Sequence, residues 1–288
     1  VSSILKRDII TLSGDSLNFK IHGGRQLSGE VQINSSKNAT VAILCASLLN
    51  KGKTILHKVP QIAEIERLIE VLESMNVKVR WFNNSSLEII PPTTIDIAKL
   101  DFAAAKKTRS AILLMGVLSH FFPEFQLPAA GGCHLGLRSV QPHVYALNHF
   151  GINVQRDKDF YNIIKTDSKD SEVILYESGD TVTENAILAA ALSPRVTQIK
   201  YASANYMVQD LCKFLEVLGV EFRGIGTTTI QVKGLETINK TVEYTISPDP
   251  IEAMFFLAAA VVTKSTLSLK GCPIEFLELE LYKLSKMG

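Results

Sequence analysis

Cysteine is scarce: Cys45, Cys133, Cys212 and Cys272 are the four in 288 residues, and no two form a Cys-x-x-Cys pair. Thiols scattered this widely suggest neither a zinc site nor a disulfide framework, and they fit a reducing cytoplasm. An excess of charge is also missing. Thirty basic residues stand against 29 acidic ones, a net charge of +1. No nucleic-acid partner bound through a bulk polycationic surface is expected, although a local basic pocket is compatible with this balance. Long apolar runs are missing too. The longest, around Ala253 to Val262, is far short of the roughly 20 residues that a membrane helix needs, so no membrane partner is expected. The first residues, Val1-Ser-Ser-Ile-Leu-Lys-Arg-Asp8, hold no signal-peptide core. The histidines His22, His57, His120, His134, His143 and His149 show no metal-ligand spacing on one helix face. With neither a Gly-x-Gly-x-x-Gly fingerprint nor a Walker lysine, no cofactor and no metal are expected. What remains is a globular composition, 46% hydrophobic and 20% charged, long enough for one large domain or two modest ones.

The strongest positive signal is internal repetition. One unit opens on the apolar run Ala42–Leu49 and continues into the alternating strand Thr54–Val59. Pro60 breaks that strand, the helical pattern Ile62–Met75 follows, and Val77–Val79 closes the unit. A second unit starts at Ala111–Leu118 and passes through Phe125–Leu127, a glycine-rich loop, a helix near Val144–Phe150, and Ile152–Val154. A third runs Ala186–Leu192, Thr197–Tyr201, Val208–Leu218 and Val220–Phe222, and a fourth Phe255–Val262, Thr266–Leu269 and Phe276–Leu284. The period is about 70 residues, longer than that of the common solenoids. The first helix of each unit is apolar nearly all round and is expected between layers. The second is amphipathic, with Glu64, Glu66, Arg67, Glu70 and Glu73 facing water in the first copy. Strands alternating with helices make this an α/β protein. Ahead of the first unit, Phe19–His22 and Gly29–Ile33 read as a β-hairpin. The fourth unit reaches Met287-Gly288 where its closing strand is due, so the chain is expected to be a fragment or a form without its C-terminal part.

Three places could carry chemistry. Gly131-Gly-Cys-His-Leu-Gly-Leu-Arg138 sets a cysteine among glycines, beside His134 and Arg138. Those cations would stabilise a loop thiolate, and the alternative is a plain turn with an incidental thiol. Cys45 and Cys212 lie in apolar helical patterns and are expected in the core; Cys272, after Gly271, is expected in turn packing. Basic residues also stand at helix starts: Lys37-Asn38 before the first buried helix and Lys106-Lys107-Thr108-Arg109 before the second. A cation beside a helix N-terminus suits a phosphate or carboxylate, whereas a lone one is usually solvated or paired locally. Two equivalent basic positions plus Arg138 favour an anion site; the third copy, Val182-Thr183-Glu184-Asn185, is not basic there. Asp249, between Pro248 and Pro250, could take a hydroxyl proton or cap the following helix, and the cap is the commoner role for Asp there.

These residues, taken in order, resemble the UDP-N-acetylglucosamine enolpyruvyl transferase family. The resemblance rests on Gly29-Glu-Val-x-Ile-x-x-Ser-Lys-Asn-Ala39, Lys107-Thr-Arg-Ser-Ala111, Gly131-Gly-Cys-x-x-Gly-x-Arg138, and Pro248-Asp249 with Ile251-Glu252. The cysteine loop separates that branch from the related shikimate-pathway transferase. The resemblance implies two similar domains, each an inside-out α/β barrel of three units. Residues 37–243 would form one complete domain, and 1–36 with 244–288 part of a second, discontinuous one. It implies transfer of the enolpyruvyl group of phosphoenolpyruvate to the 3-hydroxyl of UDP-N-acetylglucosamine, the first committed step of peptidoglycan synthesis. It assigns Cys133, Asp249 and Lys37 to catalysis and Asn38, Arg109 and Arg138 to substrate binding. Cys133 would form an adduct with phosphoenolpyruvate and be the target of fosfomycin, and Asp249 would accept the hydroxyl proton. No cofactor follows from it.

The chain departs from the family pattern at several positions. The arginine that usually follows the aspartate is Pro250, and the proline and aspartate after the loop arginine are Ser139 and Gln141. A lysine-and-serine segment that usually meets the nucleotide diphosphate is Glu177-Ser-Gly-Asp180, whose acids should repel a diphosphate. Two further readings stay open: a transferase with another acceptor, and a divergent paralogue that binds a ligand or partner without turnover. An incomplete second domain should expose an apolar face, to be covered by self-association or by a completing C-terminal segment.

Overall fold

The computed structural model describes residues 20, 22–129, 139–168 and 170–288. In chain order the strand β1 (Ser28–Gln32) is followed by α1 (Lys37–Ser47), β2 (Thr54–His57), α2 (Ala63–Ser74), β3 (Lys78–Phe82) and β4 (Ser86–Ile90). A short helix α3 (Phe102–Lys106) precedes a 3-10 turn (Arg109–Leu113) that runs directly into α4 (Leu114–Leu118). Then come β5 (Glu124–Pro128), α5 (Gln141–Asn148), β6 (Ile152–Asp157) and β7 (Phe160–Lys165). The third copy holds β8 (Glu172–Ile174), α6 (Asp180–Ala190), β9 (Val196–Lys200) and α7 (Tyr206–Leu218), and ends with β10 (Glu221–Arg223), β11 (Thr229–Lys233) and β12 (Val242–Thr245). The last stretch is α8 (Pro250–Val262), β13 (Thr266–Lys270), a 3-10 turn (Ile274–Phe276) and α9 (Glu278–Met287). The chain divides into two compact units, one of residues 35–247, the other of residues through Asn34 together with those from Pro248.

In the larger unit, burial follows directly from composition. The helix α1 is buried from Ala39 through Ser47, α6 from Val182 through Ala190, and α4 along its whole length. Helices without a polar face cannot lie on a surface, so these three pack on one another. Gly116 permits the approach of α4 to α6: its N–H donates to Asn185 Oδ1 at 2.9 Å, and a Cβ there would stand 2.6 Å from that oxygen. Amphipathic helices flank this centre. The helix α2 buries Ile65, Leu68, Ile69, Val71 and Leu72 on one stripe. The helix α7 stops at Gly219, whose φ of +102° lets Gly219 N–H reach Glu216 O and Val220 N–H reach Leu215 O. Cys45 and Cys212 are fully buried, and burial followed by nearby acids raises both thiols, so neither is a nucleophile.

Three sheets surround the helices, in strand orders β12-β2-β4-β3, β5-β7-β6 and β8-β9-β11-β10. The arrangement is the inside-out α/β one. Each closing strand proves to be one arm of an antiparallel hairpin: β3 with β4, β6 with β7, β10 with β11. The sequence patterns caught only the first arms, because the second arms mix polar and apolar residues behind tight turns such as Asn83, at φ +53°. The strand β12 lies parallel to β2, from Val242 opposite Thr54 to Thr245 opposite His57, so the end of the third copy completes the first copy's sheet. Within the third copy, β8 likewise lies parallel to β9. Ahead of the second copy's buried helix the equivalent stretch is helical, α3. Asp210, buried on α7, accepts from Tyr244 Oη at 2.5 Å, Ser247 Oγ at 2.7 Å and Ser247 N at 3.1 Å, fixing the end of the unit.

In the smaller unit, β1 pairs in parallel with β13, Ser28 opposite Thr266 through Gln32 opposite Lys270. This corrects the expected hairpin. Its second arm is a strand, but its partner comes from far downstream; Phe19 and Ile21 of the first arm lie outside the described residues. Ile33, Ala253 and Leu277 form a small core against which Leu269 and Cys272 pack. Only Pro250 and Ala253 of α8 are buried, and Phe255 and Val262 are 68% and 79% exposed. No helix among the described residues is long and apolar enough to cross a membrane.

The α4–α6 contact is a direct test of this packing. Gly116→Ala should cost about 1–3 kcal/mol, because the added methyl must displace Asn185 or its backbone within a filled interior. Urea denaturation reads the loss, and an unchanged midpoint would show that the two helices do not approach this closely.

Candidate functional site

The three central elements begin at the same place. Ser36 caps α1 by accepting from Ala39 N at 3.1 Å, which sets Lys37 and Asn38 on the first turn. Thr108 caps the 3-10 turn by accepting from Ser110 N, which sets Arg109 and Ser110 likewise. Thr181 lies on the first turn of α6. A cavity of about 260 Å³ opens between them, lined by Lys37, Asn38, Arg109, Ser110 and Thr181. Arg67 of α2 and Lys107 add two more cations to its wall. Helix N-termini present unsatisfied N–H groups and the positive end of their dipoles, so both backbone and side chains favour an anion here. Among the described residues the single acid in this wall is Glu64, from the first turn of α2.

Glu64 is the residue that amphipathic spacing misplaces. It was expected to face water with Glu66, Glu70 and Glu73, yet it turns inward and is half-buried. Its Oε2 accepts from Lys37 Nζ at 2.5 Å, and its Oε1 from Ser110 Oγ at 2.7 Å and Thr108 Oγ1 at 3.3 Å. Burial alone would raise this carboxyl. The bonds from Lys37 and Ser110, the lysine's charge and the Thr108 bond outweigh that and hold it below the ordinary carboxylate range.

A second cavity of about 450 Å³ shares Asn38, Arg109 and Thr181 with the first. Its other walls include Ser139, His143, Glu177 and Asp180. Arg109 Nη2 donates to Ser139 O at 3.4 Å, and Gln141 N to Ser139 Oγ at 3.0 Å, so the departures Ser139 and Gln141 build the start of α5. Asp180 is occupied: it accepts from Ser203 Oγ at 2.6 Å and Asn205 Nδ2 at 3.2 Å. His143 is buried, with Asn185 Nδ2 at 3.2 Å from Nδ1 and Thr181 Oγ1 at 3.4 Å from Nε2. Asn185 also donates to Ile112 O and accepts from Gly116 N, so its amide donates to Nδ1 and the imidazole proton sits on Nε2. Burial, then Arg109, pushes this histidine down to about 3.

Of the residues expected to act, Lys37, Asn38 and Arg109 come together. Cys133 and Arg138 lie outside the described residues. Asp249 belongs to the smaller unit, where it caps α8, accepting from Ile251 N at 2.8 Å with Pro250 in the first turn. Sequence reasoning passed over Glu64, Arg67, Thr108, Ser110, Thr181 and His143; only the hydroxyls flanking Arg109 carried a local signal.

The sequence model of EPSP synthase (3-phosphoshikimate 1-carboxyvinyltransferase) matches residues 21–288. The chain belongs to the EPSP synthase family. Among family members, UDP-N-acetylglucosamine 1-carboxyvinyltransferase 2 of Caldanaerobacter subterraneus is 31% identical over 270 residues, 94% of this chain and 64% of the relative. A UDP-N-acetylglucosamine 1-carboxyvinyltransferase of Campylobacter fetus is 34% identical over 276 residues, with the same coverages of 94% and 64%. The chain therefore spans about 64% of the length of these relatives. Among solved structures, the enolpyruvyl transferase NikO of Streptomyces tendae superposes with a TM-score of 0.72 at 18% identity, covering 83% of this chain and 56% of that one. EPSP synthase of Acinetobacter baumannii gives 0.63 at 15%, over 87% of this chain and 57% of its own. These likenesses establish the family fold, with helices inside and sheets outside.

The buried histidines give the larger unit a pH dependence of defined sign. Burial also pushes His120 down, to about 4, against the opposing bond to Leu188 O. In the unfolded chain both histidines take up a proton near the ordinary 6.5, whereas folded they do so only near 4 and 3. The unfolded state thus binds more protons between these values, and stability falls as pH falls through that window. Urea midpoints measured from pH 7 to pH 4 should decline, and less steeply in His143→Asn; equal slopes would contradict a buried neutral imidazole.

Proposed function

We propose that this chain performs enolpyruvyl transfer from phosphoenolpyruvate to the 3-hydroxyl of UDP-N-acetylglucosamine, the first committed step of peptidoglycan synthesis. The observation that carries the reading is the cationic cavity at the joined starts of α1, the 3-10 turn and α6, held by Lys37, Asn38 and Arg109. Phosphoenolpyruvate carries a phosphate and a carboxylate, and both must be neutralised in one place for the reaction to proceed. The acceptor oxygen bonds to C2 while C3 gains a proton. C3 then loses a proton as the C2–O bond to phosphate breaks, leaving an enol ether and inorganic phosphate. In this scheme Lys37 and Arg109 hold the departing phosphate and Asn38 orients the acceptor. Arg138 adds a third cation, Cys133 forms the adduct or moves the C3 proton, and Asp249 receives the hydroxyl proton. The names of the relatives support the donor and acceptor, and the scattered free thiols suit a reducing cytoplasm.

A second reading, a transferase with another acceptor, is favoured by Glu177 and Asp180 in the second cavity. Two carboxylates there oppose a diphosphate, although Asp180 is partly neutralised by Ser203 and Asn205. Nothing comparable favours a paralogue without turnover.

Phosphate release from phosphoenolpyruvate with UDP-N-acetylglucosamine tests the proposal. Lys37→Ala and Arg109→Ala should each lower kcat/KM for phosphoenolpyruvate by about 10- to 100-fold, the worth of one charge-assisted contact. Cys133→Ala and Asp249→Ala should abolish turnover. No sugar-dependent release from the unaltered protein would defeat the reading, and release with a different acceptor in a panel would select the second one.

The exposed face of α8, with Phe255 and Val262 in water, calls for a cover. We assign that cover to further units of the same repeat, in the same polypeptide or in a second copy. The 288-residue chain alone should self-associate on sedimentation, and monodisperse monomers would overturn the assignment.

A further inference from the structure

Glu64 stands where a ligand's anion would stand. Both of its carboxylate oxygens are engaged: Oε2 by Lys37 Nζ at 2.5 Å, Oε1 by the hydroxyls of Ser110 at 2.7 Å and Thr108 at 3.3 Å. A lysine on the first turn of α1 and two hydroxyls at the start of the 3-10 turn make a donor set that also suits a phosphate or a ligand carboxylate. Around them lie Arg67, Lys107 and Arg109, the further cations of the same wall. Among the described residues, Glu64 is the only negative charge on that wall. It is also within reach of its donors only because it is the first-turn residue of α2 pointing inward, against the outward pattern of Glu66, Glu70 and Glu73.

We infer that Glu64 is a built-in counter-anion: its carboxylate occupies the donors that a substrate's phosphate or carboxylate must take over, and so sets the affinity of the cavity for anions. The inference rests on the anion-site reading of that cavity. Glu64 neutralises Lys37 through Oε2 and gathers the hydroxyls of Ser110 and Thr108 on Oε1, so one carboxylate holds all three donors at the cavity wall. An arriving anion of higher charge competes for the same three donors and must displace Glu64 from them. The glutamate's charge thus opposes anion binding while its bonds preorganise the donors. It is a positioning and specificity-determining residue, with no part in the bonds that form and break.

Calorimetric titration of the full chain with inorganic phosphate, and separately with phosphoenolpyruvate, reads this directly. Glu64→Gln keeps the shape and removes the charge. Loss of one negative charge beside a bound anion should tighten phosphate binding by about ten-fold. KM for phosphoenolpyruvate should fall by a similar factor, with kcat less affected. Glu64→Asp, which retains the charge, should bind phosphate within about two-fold of the unaltered protein, a margin far below that expected for charge removal. A glutamine variant that binds phosphate no better, while unfolding at the same temperature as the unaltered chain, overturns the inference. A crystal structure of the unaltered protein with bound phosphate gives a second reading independent of any variant's folding. The Lys37–Glu64 contact should open beyond about 4 Å, the limit of an ion pair. Phosphate bound on Lys37 with that contact intact would also overturn it. If neither protein binds phosphate or phosphoenolpyruvate, the anion-site reading itself fails, a result distinct from unaltered binding in the glutamine variant.

Discussion

Three helices that have no polar side must be surrounded, and the position of the cation cluster in the larger unit follows from that need. Once α1, α4 and α6 pack together in the centre, only their ends remain for polar chemistry. Gly116 and Asn185 set the closeness of two of them, and caps at Ser36 and Thr108 bring their starting turns to one mouth. A cation on any one of those turns would be a surface lysine. At a shared mouth lined by N–H groups, Lys37, Arg67, Lys107 and Arg109 become an anion site.

The centre shapes the electrostatics as well. Asn185 ties the 3-10 turn, α4 and His143 together, and the imidazole stays neutral because protonation would place charge in an apolar interior beside Arg109. Glu184, the acid in the copy where a basic residue is absent, is buried with Oε1 unpartnered among the described residues, and burial followed by Asp180 raises its carboxyl. Basic character is thus confined to two of the three copies. A threefold repeat has become a one-sided site, and the acids Glu177 and Asp180 of the third copy line the neighbouring cavity, which shares Arg109 with the cation cluster.

The repeat, the buried first helices, the core thiols Cys45 and Cys212 and the basic turns at Lys37 and Arg109 were all legible along the chain. Each depends on residues near one another in sequence: an apolar run, a period, a cation beside a helix start. The hairpin arms β4, β7 and β11 were missed, although β11 alternates strictly as Thr229-Ile-Gln-Val-Lys233; which strand each arm pairs with is supplied by its partners. The pairing of β1 with β13 was not legible either, since the apparent hairpin arm finds its neighbour in a segment far along the polymer. Glu64 shows the limit most clearly. A helical wheel puts it with the solvated acids, and only the arrival of Lys37 and Ser110 from elsewhere in the chain turns it inward.

Sequence alone determined the class of fold, the repeat and which residues could carry positive charge at a helix start, because these follow from local periodicity and capping chemistry. Tertiary structure alone decided which of those starts meet, that β12 completes the first copy's sheet, and that a carboxylate already sits among the cations. The reason is geometric: contacts between residues tens to hundreds of positions apart depend on how closely buried helices pack, and no local pattern of side chains encodes that distance.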